Sequence, residues 1–145
     1  MNIKVKLLKN AASQEAPSRS TTSIPLLCAI EESATLSLAP MQRAAIPTGI
    51  ALELPEGVEA LVTPFTSLVN ESGVTVLNNP GTIDPDYRGE VFAILINFGS
   101  DSVTLKRGQQ IAELRIREFA RAEFIEVKEL GTSARGSAGL GSTGQ

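Results

Sequence analysis

The segment from Asn78 to Val91, NNPGTIDPDYRGEV, holds the residues best suited to chemistry. Its Asn-Asn-Pro-Gly start is strong turn chemistry, so we predict a β-hairpin that carries Asp84 near its inner end and leads into the longest strand. In one interpretation, the hairpin backbone binds a flat polar ring while the Asp84 carboxylate polarises a water molecule. In the other, Asp84 and Asp86 accept hydrogen bonds from turn amides, and Tyr87, the only tyrosine, packs at a sheet margin. The residue types leave both interpretations open.

The C-terminal stretch GTSARGSAGLGSTGQ is the second candidate, because five of the 12 glycines lie between Gly131 and Gly144. Its Gly/Ser composition is typical of a mobile tail. The alternative is an arm that closes over a ligand and offers backbone N–H groups, the hydroxyls of Ser142 and Thr143 and the charge of Arg135 to phosphate oxygens. The defined R-G-x-x-G-x-G-S-T-G pattern favours the arm.

Composition excludes several classes of site. The chain has no histidine, so acid–base chemistry must use carboxylates, Tyr, Lys or water. Its single cysteine, Cys28, excludes an intrachain disulfide and cysteine-based metal clusters, and fits a reducing compartment. The 13 basic and 16 acidic side chains give a net charge of −3 with no long basic run, so we expect no nucleic-acid partner. No segment approaches the ~20 apolar residues that a bilayer requires, so we expect a cytoplasmic chain with no membrane partner.

Short strands are expected to position these residues. Apolar residues alternate with polar ones in runs bounded by Gly, Pro, Asn or Asp, and eight prolines are spread through the chain. The runs are Ile3/Val5/Leu7, Leu36/Leu38, Ile50/Leu52/Leu54, Val74/Val76 and Val91/Ala93/Leu95. We predict an all-β barrel or sandwich, one short helix over 66–71, and a surface connection over 10–23.

Three motifs together resemble the homotrimeric dUTPase family in order and spacing. They are GTIDPDYRGE from Gly81, GQQIAEL from Gly108 and RGSAGLGSTG from Arg135. The stretch AAIPTGIALELP from Ala44 is similar to the family's sequence before its second motif. The resemblance implies a distorted jelly-roll-like β-barrel over 1–130 and a flexible Gly-rich arm over 131–145. It also implies a homotrimer, in which each site is built from neighbouring subunits and the arm of a third closes over it.

The resemblance further implies hydrolysis of dUTP to dUMP and pyrophosphate with Mg²⁺, which we expect to enter through the substrate phosphates. Asp84 would be the general base for the attacking water, and Tyr87 would pack on deoxyribose and reject ribose. The hairpin backbone around Asn79, Gly81 and Ile83 would read uracil. The remaining substrate-binding positions would be Thr66, Ser67, Arg135, Leu140, Gly141, Ser142 and Thr143.

Departures from the family pattern cluster at the positions where the family binds the substrate phosphates, which we call the phosphate side. Leu26 stands where the first motif has a metal-linked aspartate, so we expect no metal ligand from the protein there. Phe65 replaces the arginine of the second motif, and Gln110 and Glu113 replace the ends of R-I-A-Q in the fourth. Two lost arginines correspond to about 3–6 kcal/mol of triphosphate binding. The sequence therefore predicts a weakened or retuned diphosphatase, and the alternative is an inactive nucleotide-binding or regulatory protein.

Two further positions concern the base and the missing charge. Leu140 stands where the family's arm has an aromatic residue, and it could cover a base without the stacking contribution of an aromatic ring. Arg43, Arg88 or Lys106 could replace the missing arginines.

Overall fold

The structure, a computed structural model, describes residues 1–13, 15–16 and 23–139. In this part of the chain, strands dominate and the one helix is short, which confirms the predicted all-β class. The elements are β1 (Lys4–Leu7), β2 (Ile24–Leu27), β3 (Thr35–Leu38), β4 (Arg43–Glu53), β5 (Val58–Pro64), α1 (Thr66–Ser72), β6 (Val74–Val76), β7 (Gly81–Ile83), β8 (Glu90–Asn97), β9 (Val103–Lys106) and β10 (Gln110–Glu118).

The strands form two four-stranded sheets and one small sheet. The orders are β1-β4-β8-β6, β2-β10-β5-β7 and β3-β9, and all the pairs are antiparallel. Both large sheets contribute inward-facing side chains to one core, as Val91, Ala93 and Leu95 of β8 and Leu114 of β10 show. This arrangement confirms the jelly-roll-like β-barrel.

The predicted hairpin between Asn78 and Val91 is wrong in its pairing. β7 pairs with β5, with Gly81 opposite Val62, whereas β8 pairs with β4 and β6 in the other large sheet. β8 is also not the longest strand, because it has 8 residues and β4 has 11. Turn chemistry specifies that the chain reverses, but the burial of alternate side chains decides which strands pair. The turn between Asp84 and Gly89 therefore carries the chain from one sheet to the other.

Helix α1 agrees with the predicted 66–71 helix to within one residue. Leu68 is its buried anchor, and the helix stops at Gly73, which has a left-handed φ of +73° and donates its N–H to the Val69 carbonyl at 2.9 Å. Beyond β10, residues 119–139 form no strand or helix, and Phe124 and Leu130 are 94% and 88% exposed. None of the described helical residues make a segment long and apolar enough to cross a bilayer.

Candidate functional site

A cavity of about 240 Å³ lies where β7 of one sheet faces β8 of the other. We call it the β7 cavity. Its lining combines apolar, amide, carboxylate and phenol groups: Val62, Asn78, Gly81, Thr82, Ile83, Asp84, Tyr87, Glu90, Phe92 and Ile94. Concave sites of this size that mix apolar walls with a few polar groups are typical of small-ligand binding.

One wall of the β7 cavity is a sheet edge. In the order β2-β10-β5-β7, strand β7 has a partner only on its β5 side within the part of the chain that the structure describes. An edge strand presents a row of backbone N–H and C=O groups to an incoming group. Gly81 is buried here, and a Cβ at this position would come within 3.0 Å of the Asn78 amide nitrogen. The missing side chain lets Asn78 lie close against β7.

The turn after β7 positions the two residues best suited to chemistry. Asp84 follows β7 directly, its side chain is exposed, and its carbonyl accepts the Tyr87 N–H at 3.2 Å. Arg88 braces the turn, because its Nη1 donates to the carbonyls of Pro85 at 2.6 Å and Tyr87 at 3.0 Å. Asp84 thus presents a solvated carboxylate at the mouth of the cavity.

Tyr87 is held by the two residues that follow the turn. Its hydroxyl donates to the Glu90 carbonyl at 2.9 Å. A Cβ on Gly89 would overlap the ring and hydroxyl of Tyr87, so only glycine leaves room for the ring in this position. The phenol is 42% exposed and forms part of the cavity wall.

The four departures from the family pattern lie on, or directly after, neighbouring strands of one sheet: Leu26 on β2, Gln110 and Glu113 on β10, and Phe65 after β5. Strand register places Leu26 of β2 beside Ala112 of β10, and Ala112 beside Pro64 of β5. Leu26 is 1% exposed and Ala112 is 0% exposed. Phe65 follows Pro64 directly and packs against the same core. We call Leu26, Ala112 and Pro64 the apolar row.

Charged groups near the apolar row are paired or point elsewhere. Glu113 lies on the opposite face of β10 from Ala112 and forms an ion pair with Arg115 at 3.1 Å. Among the described residues, no group of three or more Asp, Glu, Cys or His side chains could hold a metal ion. Cys28, just after β2, is buried, and this burial raises the pKa of its thiol. These residues do not form a protein-held metal site.

A second cavity, of about 300 Å³, lies beside β1 and β4 and is lined by Lys4, Lys6, Glu53 and Arg88 among others. Lys4 donates to Glu53 at 2.7 Å. This hydrogen bond, together with the charge of Lys4, lowers the pKa of the Glu53 carboxyl. The principal carboxylate of this cavity is therefore already paired.

The structure brings only some of the sequence-predicted site residues together. Gly81, Ile83, Asp84 and Tyr87 share the β7 cavity. Asn79 is exposed on the preceding turn, and its neighbour Asn78 lines the cavity in its place.

The other predicted positions lie away from this cavity or beyond the described residues. Thr66 and Ser67 are exposed at the start of α1 and do not line the cavity. Arg135 lies in the segment after β10, where its Nε donates to the Ala138 carbonyl at 2.9 Å. Leu140, Gly141, Ser142 and Thr143 lie outside the described residues.

Sequence reasoning missed five residues that line the β7 cavity: Val62, Asn78, Glu90, Phe92 and Ile94. A signal for three of them was present. Because Val91, Ala93 and Leu95 alternate as buried positions, Glu90, Phe92 and Ile94 must share the opposite face of β8. The long-range approach of β7 to that face could not be read from the alternation.

Comparison with known proteins gives a consistent result. The family model described as dUTPase matches residues 27–144. A deoxyuridine 5′-triphosphate nucleotidohydrolase of Cytophaga hutchinsonii is 47% identical over 108 residues, which cover 74% of this chain and 70% of the relative. One from Rhizobium rhizogenes is 45% identical over 119 residues, which cover 82% of this chain and 76% of the relative.

Solved structures show the same architecture. The Staphylococcus bacteriophage 80alpha dUTPase with dUPNHPP matches with a TM-score of 0.80 at 25% identity, over 99% of each chain. The dUTPase from phage phi11 of S. aureus matches with a TM-score of 0.74 at 20% identity, over 92% of this chain and 100% of the other.

Proposed function

The chain belongs to the dUTPase family, and on that premise we propose that it hydrolyses dUTP to dUMP and pyrophosphate. The observation that carries the proposal is the meeting of Asp84, Tyr87 and the free edge of β7 in one cavity. In the reaction, water adds to the α-phosphorus, the α–β anhydride bond breaks, and pyrophosphate leaves.

We propose that the backbone at the edge of β7 recognises the base. Uracil is a flat ring with alternating donors and acceptors along one edge, which matches a row of backbone N–H and C=O groups. Phe92, Ile94 and Val62 supply apolar walls for the faces of the ring and the sugar. The Asn78 amide, close to Gly81, adds a side chain able to donate and accept hydrogen bonds.

We propose that Asp84 is the general base and that Tyr87 discriminates deoxyribose from ribose. The Asp84 carboxylate is exposed, so it can accept a proton from a bound water as that water attacks. The Tyr87 ring has a fixed position, because its hydroxyl is bonded to the Glu90 carbonyl and its ring lies over Gly89. A rigid ring at the sugar position leaves no room for an added 2′-hydroxyl.

Mg²⁺ is proposed to arrive as part of the Mg·dUTP complex. The described residues do not fit a protein-held magnesium, because they form no cluster of three acidic ligands and Leu26 lies in the core. We therefore assign no step of the mechanism to a metal held by this chain. We also propose that the diphosphatase activity is weakened, because the residues expected to bind the phosphates and the metal are replaced.

A homotrimer is proposed because one chain leaves the phosphate side incomplete. Thr66, Ser67 and Arg135 do not line the β7 cavity of their own chain, and we infer that they reach the triphosphate from neighbouring copies. Residues 131–145 are the proposed arm, and the exposed apolar side chains of Phe124 and Leu130 give the segment before it a surface to bury against a neighbour. We propose that this trimer acts in the cytoplasm.

A pyrophosphate-release assay with dUTP and Mg²⁺ tests the activity. We expect Asp84→Asn to lower kcat by about 10²–10⁴-fold, which is the usual contribution of a positioned base. Asp86→Asn is the matched control, because Asp86 is an exposed carboxylate in the same turn but does not line the cavity. Activity of the unaltered chain no greater than that of Asp84→Asn would contradict the proposal and favour an inactive nucleotide-binding protein. Light scattering that gives a monomer would contradict the shared site.

A further inference from the structure

The side chain of Glu90 joins two distant parts of the chain beside the β7 cavity. Its Oε1 accepts a hydrogen bond from the Asn10 amide at 2.9 Å and another from the Gly49 N–H at 2.8 Å. Its backbone carbonyl accepts the Tyr87 hydroxyl. The same residue is therefore fixed through its side chain and in turn fixes Tyr87.

We propose that Glu90 is a positioning residue that sets the preference for deoxyribose over ribose by holding Tyr87 in place. This inference rests on the proposed function, because it assigns a specificity role within the same site. Glu90 acts through Tyr87.

The Gly49 N–H is available to Glu90 because β4 is irregular at this point. The β4–β8 register is interrupted between Pro47 and Ala51, the signature of a β-bulge. Two side chains satisfy the backbone groups that the bulge leaves without ladder partners. Glu90 accepts from the Gly49 N–H, and the Thr48 hydroxyl donates to the Val91 carbonyl at 2.6 Å. The bulge thus fixes the side chain of Glu90 against the backbone of β4.

The bulge also needs glycine at position 49. Gly49 has a left-handed φ of +73°, and a Cβ there would overlap the backbone of Ala11. The close approach of Ala11 brings its neighbour Asn10 within reach of Glu90.

Arg107 holds the Asn10 segment against the barrel. Its Nη1 donates to the carbonyls of Asn10 at 2.9 Å and Ile30 at 2.7 Å, and its Nη2 donates to the carbonyl of Ala11 at 2.6 Å. A guanidinium that bonds three carbonyls fixes the direction of the segment as well as its position. The Asn10 amide is consequently aimed at Glu90, which completes a chain of contacts from Arg107 to the Tyr87 hydroxyl.

The chain of contacts matters because sugar discrimination depends on small distances. A misplacement of about 1 Å in a positioning group can change rates by about 10²-fold. If the Glu90 side chain loses its two donors, the start of β8 keeps the ladder pairing of Glu90 with Ala51 but loses its side-chain anchor, and we expect the acceptor of the Tyr87 hydroxyl to shift. The ring then no longer excludes the 2′-hydroxyl.

The test compares kcat/KM for dUTP with kcat/KM for UTP in the full-length protein. We expect Glu90→Ala to lower the dUTP:UTP ratio of kcat/KM by about tenfold or more, because kcat/KM rises for UTP and falls for dUTP. Glu90→Gln should keep the ratio near that of the unaltered chain, because its amide oxygen can still accept from Asn10 and Gly49. Glu59→Ala is the control, since it removes a paired carboxylate on β5 that does not line the cavity.

The outcomes separate this inference from the proposed function. An equal loss of dUTP and UTP activity in Glu90→Ala would show a merely structural role and overturn the inference. If Glu90→Ala does not fold, Asn10→Ala decides, because it removes one donor from a segment outside the strands: a lower ratio supports the inference and an unchanged ratio overturns it. If the unaltered chain hydrolyses no dUTP, the proposed function fails. In that case calorimetry tests the inference through the ratio of the Kd values for deoxyuridine and uridine, which replaces the dUTP:UTP ratio of kcat/KM.

Discussion

The β7 cavity and the apolar row belong to the same sheet, yet their surroundings differ. The β7 cavity opens where β7 and β8 separate into different sheets, and it is lined by residues from both. In the apolar row, Leu26 and Ala112 are part of the buried core to which both large sheets contribute. Polar groups line an open cavity at β7, whereas buried apolar side chains fill the core at the apolar row.

This difference separates the two halves of the proposed substrate. The nucleoside half can be bound by groups that a single chain provides, namely the β7 edge, Asp84 and Tyr87. Among the described residues, the apolar row holds no cluster of three acidic side chains for the phosphate half, and Phe65 and Leu26 pack into the core there. In the proposed function, recognition of the nucleoside and handling of the triphosphate therefore depend on different groups of this chain.

The largest expected effect of a substitution in the apolar row is on folding. Leu26→Asp places a carboxylate in the core with no described partner, and we expect the chain not to fold. Leu26→Ala should lower the free energy of unfolding by about 2–5 kcal/mol, and Leu26→Met by less than about 1.5 kcal/mol. Urea denaturation at a fixed protein concentration measures all three.

The matched variant in the other region is Asp84→Asn. Its side chain is exposed, so we expect a free energy of unfolding within about 0.5 kcal/mol of the unaltered chain. If Leu26→Asp folds with normal stability and gains Mg²⁺-dependent activity, the contrast between a filled and an open region would be lost.

The second effect concerns the charge missing beside the apolar row. Phe65→Arg should raise kcat/KM for dUTP by about tenfold or more, because a charged hydrogen bond to phosphate contributes about 1.5–3 kcal/mol. The arginine stem can keep part of the apolar packing that Phe65 makes while its guanidinium reaches solvent. Steady-state pyrophosphate release provides the measurement.

Inhibition by deoxyuridine shows whether that gain is confined to phosphate. We expect the inhibition constant to stay unchanged in Phe65→Arg, because deoxyuridine has no phosphate and binds in the β7 cavity. Phe65→Leu controls for loss of the aromatic ring alone and should give no gain. A parallel change for dUTP and deoxyuridine would mean that the two regions are coupled.

Local patterns in the sequence were sufficient for most of the elements. Alternating apolar residues located the strands around Val5, Leu36, Leu52, Val74 and Ala93, and the helix began where it was expected. Each of these features depends on neighbours within a few residues. The prediction of Asp84 and Tyr87 as site residues is local in the same sense, since a short turn holds both.

Contacts between distant residues were not predictable in this way. Asn10 was expected only to belong to a surface connection, but its amide bonds Glu90, 80 residues away along the chain. The pairing of β7 with β5 rather than β8 likewise depends on which faces are buried in the finished fold. Alternation gave the face of Phe92 and Ile94, whereas what that face meets was settled only by tertiary packing.

The smallest expected effect concerns an apolar wall of the β7 cavity. Phe92→Ala should raise KM for dUTP about three- to tenfold with little change in kcat, because the ring contributes apolar contact equally to the bound substrate and to the transition state. Phe98→Ala is the control, since Phe98 is also exposed and follows the same strand but does not line the cavity. Deoxyuridine should lose affinity by the same factor as dUTP, because the wall touches only the nucleoside. A fall in kcat at constant KM would instead place Phe92 in the chemical step, and the nucleoside and phosphate halves of the site would no longer be separable.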